Sequence, residues 1–389
     1  MNFVFISPHF PKNFEGFVVR LNQKGIKVLG IADVSYDELS DVIKENLTEY
    51  YKVNDLENYH EVLRACGYFT HKYGKIDRIE SFNEHWLELE AALRTDFNVF
   101  GLKNDDIEIV KRKSKMKEVF RNAGIKVARG KVFKDIAEAK AIIEEVGYPV
   151  CVKPDIGVGA GNTYKIRDEE ELQKFFDLNH GEEFIMEEFI DGEIVTYDGL
   201  TNRDAETVFN STLVYNATVL DIVRYNEDMY YYIPRDIEDD IVKAGEKIVK
   251  AFNLRERFFH IEFFRENETG ELVALEINCR VPGGRTTDMF NFANDIDIYE
   301  LYAGLILENR FNAQINRPYF CAYVGRKNFR KYEKSLEELL QIYHHEIMLV
   351  DSIPGVFAAV MGDVGAIFRT KEEKRMFEIL DDFLKLRGE

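Results

Sequence analysis

Cysteine is scarce, and the four present (Cys66, Cys151, Cys279, Cys321) lack the Cys-x-x-Cys spacing of a zinc ribbon or a redox pair. Cys151 and Cys279 fall in predicted strands, where a buried free thiol is the ordinary state, and this favours a reducing compartment. Positive charge is in deficit: 51 Lys and Arg stand against 70 Asp and Glu, a formal net charge of −19. That balance argues against nucleic acid and against an anionic membrane surface as partners. Long apolar runs are missing too. The stretch Gly355–Met361 is far too short to span a bilayer, and the first residues have neither a basic n-region nor an apolar h-region. A soluble, cytoplasmic protein is expected. No G-x-G-x-x-G follows the first strand and no G-x-x-x-x-G-K-[ST] occurs, which argues against a Rossmann dinucleotide site and a Walker site. A credible Ser/His or Cys/His nucleophile constellation is also absent, as are internal repeats and low-complexity linkers.

What is present suits two or three domains with real cores: 389 residues, 46% apolar, with 30 Phe and 20 Tyr. The first hundred residues read as a small doubly wound unit. A strand over Asn2–Ile6, a helix over Asn13–Lys24 and a strand over Lys27–Ile31 make a βαβ start. A helix from Tyr36 to Leu47, a strand over Tyr50–Val53, a helix through Tyr59–Tyr73 and a strand over Ile76–Glu80 follow. Asn83, Glu84 and His85 come at the carboxyl end of that last strand, where such sheets present ligand-binding groups. A helix cap with an acidic first turn accounts for them equally well. Arg94 and Asp96 are expected to pair. The basic run Lys111-Arg112-Lys113-Ser114-Lys115-Met116-Lys117 belongs to a helix ending at Gly124. Lys111, Lys115 and Lys117 are expected on a solvated face; one lysine reaching a phosphate is the sharper reading, and spacing alone does not choose it.

A predicted strand ends at Lys153-Pro154, and Gly157, Gly159 and Gly161 follow at alternate positions. Glycines let backbone N–H groups wrap a phosphate and let a loop close as a lid, although many hairpin loops are glycine-rich. The apolar strand from Phe184 runs into Glu187-Glu188-Phe189-Ile190. Its edge could offer backbone groups to an adenine while Phe and Ile sandwich the ring; an ordinary strand end is the plainer reading. Further strands are expected over Val195–Thr201, Glu206–Ala217, Tyr319–Val324 and Ile347–Leu349, with a hairpin over Ala358–Phe368. Helices are expected over Arg235–Phe252, Ile296–Leu307 and Lys371–Leu386.

The stretch Phe258–Arg285 organises the rest. Its first strand carries Glu262 among aromatic residues, and Glu266-Asn267-Glu268-Thr269-Gly270 has hairpin-turn chemistry. The second strand is apolar from Leu272 until it ends in Glu276-Ile277-Asn278. With a period of two, Glu276 and Asn278 share a face, and a closed hairpin can put Glu262 on that face as well. Two carboxylates and one amide oxygen form a hard-oxygen site suited to Mg²⁺. A solvated hairpin face is the alternative, but carboxylates set in such apolar strands are rarely buried without a partner.

Taken together, Lys113, Lys153 with its glycine loop, Glu187–Ile190, Glu262 and Glu276/Asn278/Arg280 resemble, in that order, the ATP-grasp superfamily, in its carboxylate–amine ligase branch with L-amino-acid ligases and carbamoyl-phosphate-synthase-like proteins. The resemblance covers essentially the whole chain. It implies a mixed α/β (α+β) ATP-grasp fold: a pre-ATP-grasp Rossmann-like domain over 1–104 and an ATP-grasp domain over 105–315. Within the latter a lid subdomain spans about 113–190 and a metal-site sheet about 195–310, and a C-terminal subdomain over 316–389 packs on this core. It selects Lys113 from the basic run and implies that Lys113, Lys153, Gly157, Gly159 and Gly161 hold ATP phosphates. Glu187, Glu188, Phe189 and Ile190 would line the adenine. Glu262, Glu276 and Asn278 would bind Mg²⁺, with Mn²⁺ as a substitute, and Arg280 would steady the transferring phosphoryl group. Two positions depart from the pattern. Arg112 stands where an acid usually precedes the first lysine, and Ile194 stands where the ribose-binding Glu is expected, leaving Glu193 as its replacement. The implied reaction is ADP-forming ligation of a carboxylate to an amine through an acyl phosphate. Its substrates would be small molecules, amino-acid-like ones among them, with Gly283, Gly284 and Arg285 near the acid and Asn83 and Glu84 near the amine. A homodimer is one assembly open to the chain, and the sequence does not decide it. The competing readings are a non-catalytic ATP-binding sensor or scaffold, and an ATP-dependent carboxylase or kinase.

Overall fold

The computed structural model describes residues 1–157, 162–178 and 181–388. Strands β1 (Asn2–Ile6), β2 (Lys27–Ala32), β3 (Glu49–Lys52) and β4 (Arg78–Glu80) form a parallel sheet in the order β3-β2-β1-β4. The near-continuous apolar runs of the two central strands, β1 and β2, fit strands buried on both faces, whereas the edge strand β3 is only half-buried. The single helix expected from Tyr36 to Leu47 is a 3-10 turn, Tyr36–Glu38, followed by a separate helix, Asp41–Asn46. Ser40 starts the second by accepting the Ile43 N–H at 3.2 Å, so a cap residue divides the run. Arg94 does not pair with Asp96. It is fully buried against Glu90 at 2.6 Å and Glu80 at 3.0 Å, while Asp96 takes the Tyr59 hydroxyl. Arg257 reaches Glu80 at 2.8 Å and Arg78 reaches Glu256 at 2.7 Å, so one buried ionic network joins this sheet to the strand that begins at Phe258.

Strands β5 (Gly130–Phe133), β6 (Val150–Pro154), β7 (Tyr164–Ile166) and β8 (Phe184–Glu188) form a second, antiparallel sheet in the order β5-β8-β6-β7. β8 is therefore interior and not the edge expected from sequence. Helices Ile136–Val146 and Glu169–Asp177, each started by an aspartate accepting a backbone N–H (Asp135, Asp168), supply the other half of its core around Phe133, Val152, Phe175 and Met186.

The remaining strands are β9 (Gly192–Thr201), β10 (Thr207–Ser211), β11 (Val214–Tyr215), β12 (Tyr230–Ile233), β13 (Phe258–Glu266), β14 (Leu272–Asn278), β15 (Phe320–Arg326), β16 (Ile347–Ser352) and β17 (Val364–Thr370). They build one sheet in the order β14-β13-β9-β11-β12-β15-β17-β16, with β10 on β9. The strands after residue 316 thus continue the sheet that carries the hairpin. The hairpin expected over Ala358–Phe368 is instead a helix, Gly355–Met361, and then β17. Seven consecutive apolar residues satisfy either period, and Gly362 at φ +81° ends the helix. Among the described residues no helix is long and apolar enough to cross a membrane.

Candidate active site

The β13–β14 hairpin closes so that Glu262 pairs directly with Glu276 and His260 with Asn278. A register irregularity between Glu262 and Phe263 follows the pair without breaking it. The two glutamates line one cavity of about 260 Å³, and the Asn278 amide donates to Glu276 Oε1 at 3.4 Å. Buried Asp198 on the neighbouring β9 contacts His260 Nδ1 at 2.5 Å, and His260 Nε2 contacts Glu262 Oε1 at 2.9 Å. Burial alone would lower the His260 pKa, but the two carboxylates push it up to about 9. Glu262 is shifted the other way: burial opposes its ionisation, and His260 and Arg280 bring its carboxyl below the usual range.

Facing this hairpin across the cavity are the lysines. Lys113, at the start of the buried-face helix Lys113–Asn122, donates to the Gly157 carbonyl at 3.1 Å and lies 3.8 Å from Glu276. Lys153, at the end of β6, lies 2.9 Å from Glu187. Lys117 is not on a solvated face: it is 2% exposed and lies 2.7 Å from the other Glu187 oxygen. Desolvation depresses the Lys113 and Lys117 ammonium groups. It also works against the Glu187 carboxyl, but Lys117 and Lys153 outweigh it and bring that carboxyl down to about 2. Glu187, which lines the same cavity, is thus the counter-ion of two buried lysines, Lys117 and Lys153. Lys111 is not solvated either; it pairs with Glu84 at 3.3 Å, and of the three only Lys115 stays on an exposed face. Arg112, standing where an acid was expected, pairs with Asp155 at 3.0 Å and Glu183 at 2.9 Å at the base of the glycine segment. Gly157 is described; Gly159 and Gly161 lie outside the described residues.

The cavity's other end is formed by Glu188, Phe189 and Ile190, with the Lys165 ammonium 3.4 Å from the Phe189 ring centre. Glu188 is held by Arg129 at 2.6 Å. Ile194 faces this cavity, whereas Glu193, one residue earlier on β9, is exposed and borders a neighbouring depression with Tyr215 and Asn216. Glu193 thus lies at a depression that adjoins the cavity, with Gly192, Ile194, Thr218 and Asp221 lining both. Lys117, Lys165, Arg167 and the helix Val219–Tyr225, which contributes Asp221 and Arg224, line the cavity and were not singled out from sequence. Their only local signal was the charge itself.

Beyond the hairpin, Arg280 donates to the Val281 carbonyl at 2.8 Å and lies 3.6 Å from Glu84 Oε2, a buried oxygen with no hydrogen-bond partner among the described residues. Glu84 thus stands between Lys111 and Arg280. Asn83 caps the short turn after β4 by accepting the His85 N–H at 3.0 Å, and His85 pairs at the surface with Glu57. Gly284 has φ +64°, in the left-handed region that favours glycine, with the end of the Met361 side chain 2.8 Å from where a Cβ would stand. Gly283 accepts the Thr286 hydroxyl at 2.7 Å, and Arg285 is engaged by Asp288 at 3.3 Å and by Asp351.

Residues 146–288 match the model of the ATP-grasp domain. The chain is 25% identical over 254 residues to an L-arginine-specific L-amino acid ligase of Bacillus subtilis, covering 63% of this chain and 61% of that protein. It is 28% identical over 189 residues to a D-alanine–D-alanine ligase of a Thermoanaerobacter species, covering 45% and 52%. The matched segments thus span about half to three fifths of these curated relatives. An L-amino acid ligase from Bacillus licheniformis superposes with a TM-score of 0.76 at 17% identity, covering 100% of this chain and 98% of that one. The matched domain takes in the hairpin, Lys153 and Glu187 but not Lys113 or Lys117, and the chain as a whole has the ATP-grasp fold.

Proposed function

We propose that the protein is an ATP-dependent, ADP-forming ligase that joins a small carboxylate to an amine through an acyl phosphate. The observation that carries this reading is the shared cavity in which Glu262 and Glu276, cross-strand partners, face Lys113 and Lys153. The donor set fits Mg²⁺: two carboxylates and one amide oxygen are hard ligands, too few to fill the shell, and so leave room for water and phosphate oxygens. Bound there, Mg²⁺ or Mn²⁺ would neutralise charge on the polyphosphate. Lys113 and Lys153 hold the phosphates, and Glu187 keeps the pair of buried ammonium groups at Lys117 and Lys153 tolerable. Phe189, Ile190 and Lys165 flank the base. Arg280, steadied by Glu84, stabilises the phosphoryl group as it passes to the acid. The names of the relatives, an L-amino acid ligase and a D-alanine–D-alanine ligase, support amino-acid-like substrates for both roles.

The test is phosphate release from ATP and Mg²⁺ over pairwise pools of amino acids, with Glu276→Gln as control. Turnover that needs two substrates together, and that Glu276→Gln reduces by about 10²-fold or more in a folded protein, is the expected result. ATP binding without any turnover would favour a sensor, and turnover with a single acceptor would favour a kinase.

A further inference from the structure

The Asp198–His260 pair lies behind one carboxylate of the site and has no place in the chemistry above. We infer that it is a strut that sets the orientation of Glu262, making His260 and Asp198 positioning residues for the divalent cation; this rests on the Mg²⁺–ATP reading of the cavity. Asp198 and His260 are register partners on β9 and β13, 0% and 4% exposed. The contacts run in a line. The Leu213 N–H donates to Thr196 Oγ1 at 2.8 Å, and the Thr196 hydroxyl donates to Asp198 Oδ2. Asp198 Oδ1 meets His260 Nδ1 at 2.5 Å, and His260 Nε2 meets Glu262 Oε1 at 2.9 Å.

Both ring nitrogens are therefore occupied, and the imidazole cannot turn without losing a buried contact. A glutamate side chain left to itself samples several rotamers, and its terminal torsion is broad. Here one oxygen is committed to a ring that is anchored through Asp198 and Thr196 to the backbone N–H of Leu213, in the link between β10 and β11, so the carboxylate meets a cation through its other oxygen. Stability alone does not explain the arrangement. Buried ion pairs add little net stability over an apolar packing of the same volume, and this one sits inside a sheet otherwise rich in Phe and Ile. Partners that orient a ligating side chain change metal affinity by about 10–100-fold when removed.

The experiment titrates Mn²⁺ into the full chain saturated with a non-hydrolysable ATP analogue and follows bound Mn²⁺ by electron paramagnetic resonance. His260→Phe, which keeps a ring but removes both nitrogens, is expected to weaken Mn²⁺ binding about 10–100-fold and to alter the spectrum of the bound ion. His260→Gln, still able to donate to Glu262, is expected to fall between it and the wild type. Thr196→Val, a same-sized change further along the line, is expected to weaken Mn²⁺ severalfold and covers the case in which His260→Phe does not fold. Metal-free affinity for the analogue should stay within about twofold in all three. Mn²⁺ affinity and spectrum unchanged in the folded variants would overturn the inference, as would an equal loss of metal-free nucleotide binding. A wild-type protein that takes up nucleotide but no Mn²⁺ would instead sink the metal reading itself, and the strut with it.

Discussion

Glu187→Gln isolates the ionic centre of the cavity without changing its shape. In the fold the Glu187 carboxyl is held at about 2 against an ordinary 4.5, because Lys117 and Lys153 lie 2.7 and 2.9 Å away and outweigh the cost of burial. That difference corresponds to about 3 kcal/mol of stability at neutral pH. Removing one partner of a buried pair costs a similar roughly 3–5 kcal/mol, since the remaining charges stay uncompensated. Urea denaturation at pH 7 should therefore show the variant destabilised by about 3 kcal/mol. The pH dependence has a definite sign. A depressed carboxyl stabilises the fold above its unfolded value and loses that contribution as pH falls, so the gap between wild type and variant should close between about 4.5 and 2. Adding Lys117→Met to Glu187→Gln should recover a substantial part of the loss, because one of the two stranded ammonium groups is gone. A cost below about 1 kcal/mol at pH 7, or a gap that stays constant through that pH window, would refute the assignment of Glu187 as counter-ion.

Two further outcomes follow from the acyl side of the site. Arg280→Ala should lower kcat by about 10²–10³-fold while the nucleotide Kd from calorimetry stays near that of the wild type; a change confined to Kd would make Arg280 a nucleotide contact. Glu84→Gln leaves Lys111 and Arg280 without their shared carboxylate. Steady-state kinetics should show a kcat about tenfold lower with ATP binding preserved, and an unchanged kcat would place Glu84 outside the positioning of Arg280.

The parts legible in the sequence are those governed by local periodicity. The alternation that sets Glu276 and Asn278 on one face, and the turn chemistry of Glu266–Gly270, were enough to anticipate a hairpin that can put Glu262 on that face; its direct pairing with Glu276 came from the structure. The first βαβ unit was readable for the same reason. What stayed hidden depends on partners far away in the chain. Lys117 looks like any solvated helical lysine until Glu187, seventy positions on, folds over it. Arg94 and Asp96 are near neighbours, yet Arg94 is claimed by Glu80 and Glu90, and the short-range guess failed. The interior place of β8 is fixed by pairing with β5 and β6, which no single strand announces. The helix Gly355–Met361 was misread because an unbroken apolar run carries no period to distinguish helix from strand.

The buried salt-bridge network tying Arg78 to Glu256 and Arg257 to Glu80 and Glu90 bears on how the molecule can move. Pulling those two sheets apart would drag several dehydrated charges out of register at once, at a cost far above that of an ordinary hinge. The front hundred residues and the hairpin sheet thus behave as a single chassis, and a truncation removing the former would leave Arg257 and Glu256 stranded in the latter. The small four-stranded sheet that carries Lys153 holds none of these charges.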